Sequence, residues 1–461
     1  MVTTDDITDT TRTGRTAPEP VADSPSAEAA AERSVADILR PMIDALTVGP
    51  LPIRLEFWDG SGLGADDGVG TLRMNTPDAL RRVAWSPDEL GFGRAFVAGE
   101  IDFEGNVADI LIALQRTSRA GGKVALSGVP AIMSAARELG LLSSRPPSPP
   151  PEEANPRGLR HSISRDKEAV SYHYDVGNDF YALVLGPSMT YSCARFETED
   201  ATLEEAQAAK HEMVCRKLGL AEADFRDACP GERPRLLDVG CGWGSMAIHA
   251  ATHHDVDVVG VTISDEQAAE ARRRVEAAGL ADRVEIRIQD YRAVADGPYD
   301  VISSVGMAEH VGKRNLAVYF AGLHGLLRPG GRLLNHAIGS VGGSKPGRRQ
   351  FVNRYVFPDG ELIDVGHSAL VMQQAGFEVR DVENLREHYA RTLTGWVANL
   401  EDRWDDAVEM AGEGRARVWQ LYMSGSINGF RDGGIQIYQT LGVKRFDDGS
   451  SGMPLTRDVW H

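Results

Sequence analysis

At 461 residues, with 42% hydrophobic and 25% charged side chains, the chain has an ordinary globular make-up and length for two or three cores. A formal net charge of -18 excludes nucleic acid as the main partner, because binding phosphates takes a basic footprint. Cys193, Cys215, Cys229 and Cys241 form no C-x-x-C pair, so neither a disulfide framework nor a metal site is expected, and the compartment reads as the reducing cytoplasm.

Residues 1–33 carry seven acids against three arginines and almost no large apolar groups, which predicts a disordered acidic tail. Residues 34–142 read as a small α+β domain with no evident catalytic constellation. Val35 to Leu46 has helical apolar spacing, and Leu51 to Trp58 alternates as a half-buried strand. A turn at Asp59–Gly62 precedes a returning strand at Gly70–Met74. Helices are expected near Asp78–Ala84 and Val107–Arg116. Residues 143–157 contain Arg145-Pro-Pro-Ser-Pro-Pro-Pro151 and form a semi-rigid linker. No segment has the length of apolar chain that spans a bilayer, and the N-terminus lacks the basic start and apolar core of a signal peptide.

In residues 158–461, strands and helices alternate. Strands are expected at Arg235–Val239, Val256–Val261, Val284–Ile288, Tyr299–Val305 and Gly331–Ile338, and helices at about Ser245–Thr252, Glu266–Ala278 and Leu316–Leu327. Such alternation predicts an α/β fold, a doubly wound, mostly parallel Rossmann-like sheet. The first strand runs into Asp238-Val-Gly-Cys-Gly-Trp-Gly244. Glycines at alternate positions let the backbone turn sharply and approach a ligand closely. The helix that follows aims its free N–H groups at the same place. A dinucleotide site has the spacing G-x-G-x-x-G and an acid about 20 residues on. Here the spacing is G-x-G-x-G, and the second strand ends in Val261-Thr-Ile-Ser264 without an acid. With Asp238 two residues before the first glycine, the loop resembles motif I of S-adenosylmethionine methyltransferases.

Four further segments narrow the resemblance: Tyr172-His-Tyr-Asp-Val-Gly-Asn-Asp-Phe-Tyr181, Met189-Thr-Tyr-Ser-Cys-Ala-Arg-Phe196, Gly306-Met-Ala-Glu-His-Val-Gly312 and Glu387-His-Tyr-Ala-Arg-Thr-Leu393. Together with the glycine loop they resemble, in order, the cyclopropane-fatty-acid synthase family, which includes the mycolic-acid cyclopropane synthases. The match covers roughly residues 165 to 440, and the longer N-terminal part is similar to long actinobacterial members. The resemblance implies methyl transfer from S-adenosylmethionine to the cis double bond of an oleoyl-type phospholipid chain, and a bound bicarbonate as base. It places bicarbonate among Glu309, His336 and Tyr389 side chains and the backbone of Cys193 and Ile338. Contacts to S-adenosylmethionine are implied for Tyr191, Ser192, Asp238, Gly240, Cys241 and Gly242, with Thr262 and Gln267 at the ribose and Asp290 and Tyr291 at the adenine. Tyr172, Phe180 and Tyr191 are candidates to steady a cation through their ring faces.

Competing readings of the same residues stand beside these. Cys193 reads as a buried cysteine rather than a nucleophile, and His249, His253 and His254 as a solvated helix end rather than metal ligands. Lys345, Arg348, Arg349 and Arg354, with Arg157, Arg160 and Arg165, offer a patch for anionic headgroups, hence a peripheral contact with the membrane. Ala308 stands where many relatives carry a bulky residue and is expected to alter the pocket wall. Two products, a cyclopropane and a 10-methylene chain of the tuberculostearate type, are equally open, the second calling for a flavin- or NADPH-dependent reductase partner. A homo-oligomer is expected. The alternative activity is methylation of a small soluble nucleophile, and a further alternative is a lipid-binding protein on an inactive methyltransferase fold.

Overall fold

The computed structural model describes residues 33–117, 129–141, 145–154, 176–221, 233–341 and 350–460. The tail over 1–32, Cys229, Tyr172 and the basic residues Arg157, Arg160, Arg165, Lys345, Arg348 and Arg349 lie outside the described residues.

Helix α1 (Val35–Leu46) begins where the Ser34 hydroxyl accepts the Asp37 amide, a side-chain cap on an apolar helix. Strands β1 (Arg54–Glu56), β2 (Gly62–Gly64), β3 (Thr71–Met74) and β4 (Ile101–Glu104) form a sheet in the order β2-β1-β3-β4. The helices of this part are α1, α2 (Pro77–Trp85), α3 (Glu89–Val97), α4 (Val107–Thr117) and α5 (Val129–Glu138). Strands β2 and β4 and helices α3 and α5 escape the sequence reading, and the strand expected to return, β3, runs parallel to β1, whose antiparallel neighbour is β2. In α3 the reason is Gly91 and Gly93, each about 1 kcal/mol worse than alanine in a helix. Packing explains both glycines. A methyl group at Gly93 would stand 2.2 Å from a ring carbon of Phe351, and one at Gly91 would stand 2.0 Å from the Ser86 carbonyl oxygen.

Beyond the linker come α6 (Asn178–Leu185) and α7 (Leu203–Leu218), the latter opened by a capping box between Thr202 and Glu205. The alternating part follows: β5 (Arg235–Val239), α8 (Ser245–His253), β6 (Asp257–Thr262), α9 (Asp265–Ala277), β7 (Val284–Ile288), β8 (Tyr299–Val305), α10 (Ala308–Val311), α11 (Leu316–Leu326) and β9 (Leu327–Ser340). Then come α12 (Phe351–Tyr355), α13 (Val365–Gln374), β10 (Glu378–Asn384), α14 (Arg386–Asp402), α15 (Trp404–Ala411), α16 (Glu413–Arg431) and β11 (Ile435–Val443).

The large sheet has the order β10-β11-β9-β8-β5-β6-β7. Strands β5 to β9 pair in parallel, as the alternation predicts, and β11 pairs antiparallel with both β9 and β10. Parallel strands are covered on both faces and so read as unbroken apolar runs. One face carries Leu236, Val301 and Leu334 with Met246 and Val275; the other carries Leu237, Ile302 and Leu333 with Tyr319 and Phe320. Between β5 and β8 the chain changes direction across the sheet. The crevice outside their carboxyl ends is where doubly wound folds bind ligands.

A third cluster joins the N-terminal part to the helices after the sheet. Leu39, Phe57, Leu90, Phe96 and Ile110 are continuous in it with Phe180, Tyr181, Trp396, Trp419 and Phe430. The end of the proline-rich segment straps the same boundary. Glu153 pairs with Arg94 of α3 at 2.7 Å and with Arg354 of α12 at 2.7 Å. Burial alone would raise the Glu153 carboxyl, but the two guanidiniums outweigh it and hold the group below its ordinary range.

Candidate active site

A single cavity of about 1130 Å³ opens at the switch point and runs from the glycine loop toward the N-terminal helices. At its cofactor end the loop after β5 is pinned to β6, where the amides of Gly240 and Cys241 donate to the Val261 carbonyl at 2.9 and 3.1 Å. Gly240 has φ +77°, and a methyl group there would lie 2.4 Å from Cγ of Met307. Gly242, at φ +54°, faces open space, with nothing within 4 Å of where its Cβ would be. This bare backbone is what a close-lying ligand needs.

Beneath the loop lies Asp238, 2% exposed, with Oδ1 accepting the Ser303 hydroxyl at 2.5 Å and Oδ2 buried without a partner. Burial pushes its carboxyl up to about 6 against the opposing pull of Ser303 and Lys210. Lys210, on α7, is itself buried and pushed down to about 7, and its ammonium donates to the Ser192 hydroxyl at 3.0 Å. Thr262 donates through Oγ1 to Oε1 of Gln267 at 2.9 Å, while the Gln267 amide donates to the capping hydroxyl of Ser264. These two form one buried polar pair at the end of β6, where a dinucleotide site would carry its acid. Beyond β7, Asp290 pairs with Arg292 at 2.6 Å; burial raises its carboxyl, but hydrogen bonds from Arg292 hold it below the ordinary range. The Tyr291 ring stands edge-on to Tyr319 at 5.2 Å.

The deeper part of the cavity is set by α10, β9, α14 and α16. Glu309 accepts the Ile338 amide on Oε1 at 2.7 Å, and its Oε2 is buried without a partner. Burial pushes this carboxyl up to about 7. His336 is 1% exposed with neither ring nitrogen bonded, and burial, with Lys210 and Lys217 adding to it, pushes the imidazole down to about 3. Hence it is neutral and carries one donor and one acceptor. Tyr389 packs against Phe430 at 4.7 Å and edge-on to Trp396 at 6.0 Å. The hydroxyls of Tyr191 and Tyr422 meet at 3.3 Å, and burial pushes Tyr422 up to about 12.

The cavity is lined by Tyr191, Ser192, Asp238, Gly240, Cys241, Gly242, Thr262, Gln267, Asp290, Tyr291, Glu309, His336, Ile338 and Tyr389. Cys193, expected to contribute its backbone, stands outside the lining. Its thiol is buried and donates to the Ala194 carbonyl at 3.2 Å, and burial drives the group far above its ordinary pKa. This is no nucleophile.

Three expectations are corrected. Phe180 is fully buried against Tyr181 and Trp419, behind the lining instead of in it. Ala308 faces Ile363 and Val365 in a separate small gap on the far side of Glu309, so its size does not set the wall of the main cavity. His249 and His254 do not end in solvent; their Nε2 atoms lie 3.4 and 3.0 Å from Oε2 of Glu212. Sequence reasoning also missed Lys210, Phe357, Tyr422 and Phe430, all in the lining. Lys210 leaves a signal, a lysine inside the apolar face of a capped helix. The aromatics leave none that separates a cavity wall from ordinary core.

Comparison with known proteins gives the same picture. The family described as mycolic acid cyclopropane synthetase matches residues 161–440. The protein named "Probable fatty acid methyltransferase Rv3720" of Mycobacterium tuberculosis is 41% identical over 419 residues, covering 89% of this chain and 95% of its own. Tuberculostearic acid methyltransferase UfaA1, also from Mycobacterium tuberculosis, is 35% identical over 413 residues, covering 85% of this chain and 88% of its own. A solved structure of the mycolic acid cyclopropane synthase CmaA1 complexed with SAH and CTAB superposes with a TM-score of 0.55 at 32% identity, covering 62% of this chain and 99% of that one.

Proposed function

The chain belongs to the mycolic acid cyclopropane synthetase family of S-adenosylmethionine-dependent methyltransferases, and we propose that its acceptor is the cis double bond of an unsaturated acyl chain in a membrane phospholipid. The observation that carries this reading is the content of this cavity. A cofactor loop at one end is continuous with a buried, unpartnered acid and imidazole set among aromatic walls. The aromatic and apolar walls around the pair suit an alkyl chain better than a small polar nucleophile.

The residues fit both groups that the family resemblance implies. The bare loop at Gly242, the Thr262–Gln267 pair and the carboxyl group of Asp238 suit S-adenosylmethionine. The vacant Oε2 of Glu309 and the two vacant nitrogens of His336 suit a small ion that donates and accepts, as bicarbonate does. When bound, the first supplies an electrophilic methyl group and the second a base.

The protein's own part is positioning and exclusion of water. Tyr191, Tyr389, Tyr422 and Phe430 wall the cavity with ring faces, which attract positive charge on the acyl chain. Glu309, poised near neutrality by burial, can take a proton from a neighbour and bias it toward a base. The Ile338 amide already holds Glu309, so in this arrangement Ile338 acts by aiming that carboxylate. A methylated chain cation closes to a cyclopropane when the added methyl loses a proton. After a hydride shift from the neighbouring carbon, the same proton loss leaves an exomethylene branch. The second product calls for a separate reductase. Among the described residues no helix is long and apolar enough to cross a membrane, and the encounter is proposed at the bilayer surface.

The test is mass spectrometry of phospholipid fatty acids from cells expressing this chain with oleate and methyl-deuterated methionine. A labelled ring resistant to ozone is the cyclopropane, and an isomer that ozone cleaves at a terminal methylene is the branched chain. Unlabelled lipids from a folded, cofactor-binding protein would sink the lipid reading in favour of a soluble acceptor.

A further inference from the structure

The reaction cavity is not built by the family's common part alone. Glu89 and Phe92 of α3, and Leu111, Leu114 and Gln115 of α4, stand in its lining. Both helices precede residue 161, where the family match begins. Opposite them, α16 presents Gly425, Ser426 and Gly429 to the same space. A methyl group at Gly425 would meet nothing within 4 Å, so this helix leaves a smooth groove facing the leucines. The lining there is mixed, with Phe92 and the two leucines beside Glu89 and Gln115, and an alkyl segment laid along the leucines and Gly425 takes up room without needing hydrogen bonds.

The two N-terminal helices are held as a fixed wall. Asn428 of α16, 5% exposed, donates through Nδ2 to the Ala108 carbonyl of α4 at 2.7 Å, and Arg431 pairs with Asp109 at 3.0 Å. Arg417 of α16 donates to the carbonyl of Ile101 at 3.2 Å and pairs with Asp102 at 2.7 Å. The α12 side is equally close, since the Phe351 amide donates to Oε1 of Glu89 at 3.2 Å and its ring lies against the bare Cα of Gly93. Bonds at both ends, the Asn428 bond buried among them, describe a stop and not a hinged lid.

We infer that α3 and α4 form the wall that measures the acyl chain beyond the reacting double bond, with Leu111 and Leu114 as specificity-determining residues. The inference rests on the lipid reading above. Both leucines come from α4, an element separate from those that carry the cofactor loop and the Glu309–His336 pair, so in this reading their size selects among chains without entering the chemistry.

The experiment uses the full chain and vesicles of phosphatidylglycerol bearing palmitoleoyl, oleoyl and cis-vaccenoyl chains in competition, with methyl-labelled cofactor. Palmitoleoyl and oleoyl differ in the segment on the methyl side of the double bond; palmitoleoyl and cis-vaccenoyl differ on the carboxyl side. In Leu111→Trp and Leu114→Trp one of these two product ratios should move toward palmitoleoyl by about tenfold, the order by which a pocket separates chains differing by a methylene or two. Leu114→Ala should move the same ratio the other way, and it decides the matter if the tryptophan variants lose cofactor binding through misfolding. Ratios unchanged in all folded variants, with turnover merely lowered, overturn the wall's role while leaving the lipid reading intact. A wild type that binds cofactor but labels none of the three chains overturns both.

Discussion

The amide of Ile338 donates to one oxygen of Glu309 at 2.7 Å, and the other oxygen has no partner although it is buried. The carboxyl is therefore aimed by β9 yet free to act on whatever lies beside it. Its folded pKa of about 7 stands above an ordinary value of 4.5. Between those values the folded state holds the proton and the unfolded state does not, so this group's contribution to stability falls as pH rises through the window and stays low above it. Glu309→Gln keeps the acceptor for Ile338 and removes the ionisation. It should raise the melting temperature at pH values above 7, by an effect of up to about 3 kcal/mol, and leave it unchanged near 4.5. Lipid methylation should fall about a hundredfold or more with cofactor binding intact. Melting curves at two pH values and a labelled-vesicle assay check this; a variant less stable than wild type above neutrality would refute it.

Gly240→Ala tests the cofactor loop. The added methyl meets Cγ of Met307 at 2.4 Å in a backbone at φ +77°. Such strain costs on the order of 1–3 kcal/mol, so titration calorimetry should show S-adenosylmethionine binding weakened by about tenfold or more. Gly242→Ala shares the positive-φ strain, at φ +54°, but its methyl meets no protein atom within 4 Å, so it should lose less stability than Gly240→Ala, and any further loss of affinity comes from contact with the ligand. Equal affinity in both variants and wild type would remove the loop from the site.

Tyr422→Phe removes the hydroxyl that meets Tyr191 at 3.3 Å. A hydrogen bond of this kind is worth about 1 kcal/mol. Kinetics should show kcat for the lipid down about fivefold while the Kd for S-adenosylmethionine stays as in wild type. A matching loss in Kd would assign Tyr422 to the cofactor instead.

Arg417→Ala tests how the N-terminal part is held. The guanidinium, 12% exposed, pairs with Asp102 and Glu413 at 2.7 and 2.9 Å and donates to the carbonyls of Phe96 and Ile101. Losing charged hydrogen bonds in a buried place costs about 2–3 kcal/mol. Limited proteolysis should release residues 33–117 from the variant at temperatures where wild type is resistant. If the whole chain instead melts in one step at the wild-type temperature, Arg417 does not bind the two parts.

Much of the site is legible in the sequence because its chemistry is local in the chain. The glycine loop, the Glu309 segment and the Tyr389 segment each carry several constrained residues in a row, and central strands such as β6 show in apolar runs like Val258 to Val261. Other features depend on contacts made far along the chain. Strand β10, Glu378-Val-Arg-Asp-Val-Glu-Asn384, is an edge strand studded with charge, and its pairing with β11 shows in neither segment alone. Successive positions on a helix point about a quarter-turn or more apart, so Glu309 reaches the main cavity while Ala308, its neighbour in sequence, lines only the small gap beside it. Tyr422 and Phe430 sit on a helix whose pattern is that of any buried helix.

The bond from Asn428 to Ala108 joins residues 320 apart. The ribosome makes about 5–20 residues each second, so the leucines of α4 leave it on the order of half a minute before the helix that covers them exists. During that interval an apolar surface destined for the cavity wall stands uncovered. A nascent chain halted before α16 should accordingly be cut by protease within residues 33–117 and recruit holdase chaperones there, and protection should arrive in one step once Arg431 has emerged. Production of this protein is thus most vulnerable to temperature while it is being translated, before any stability of the finished fold can help.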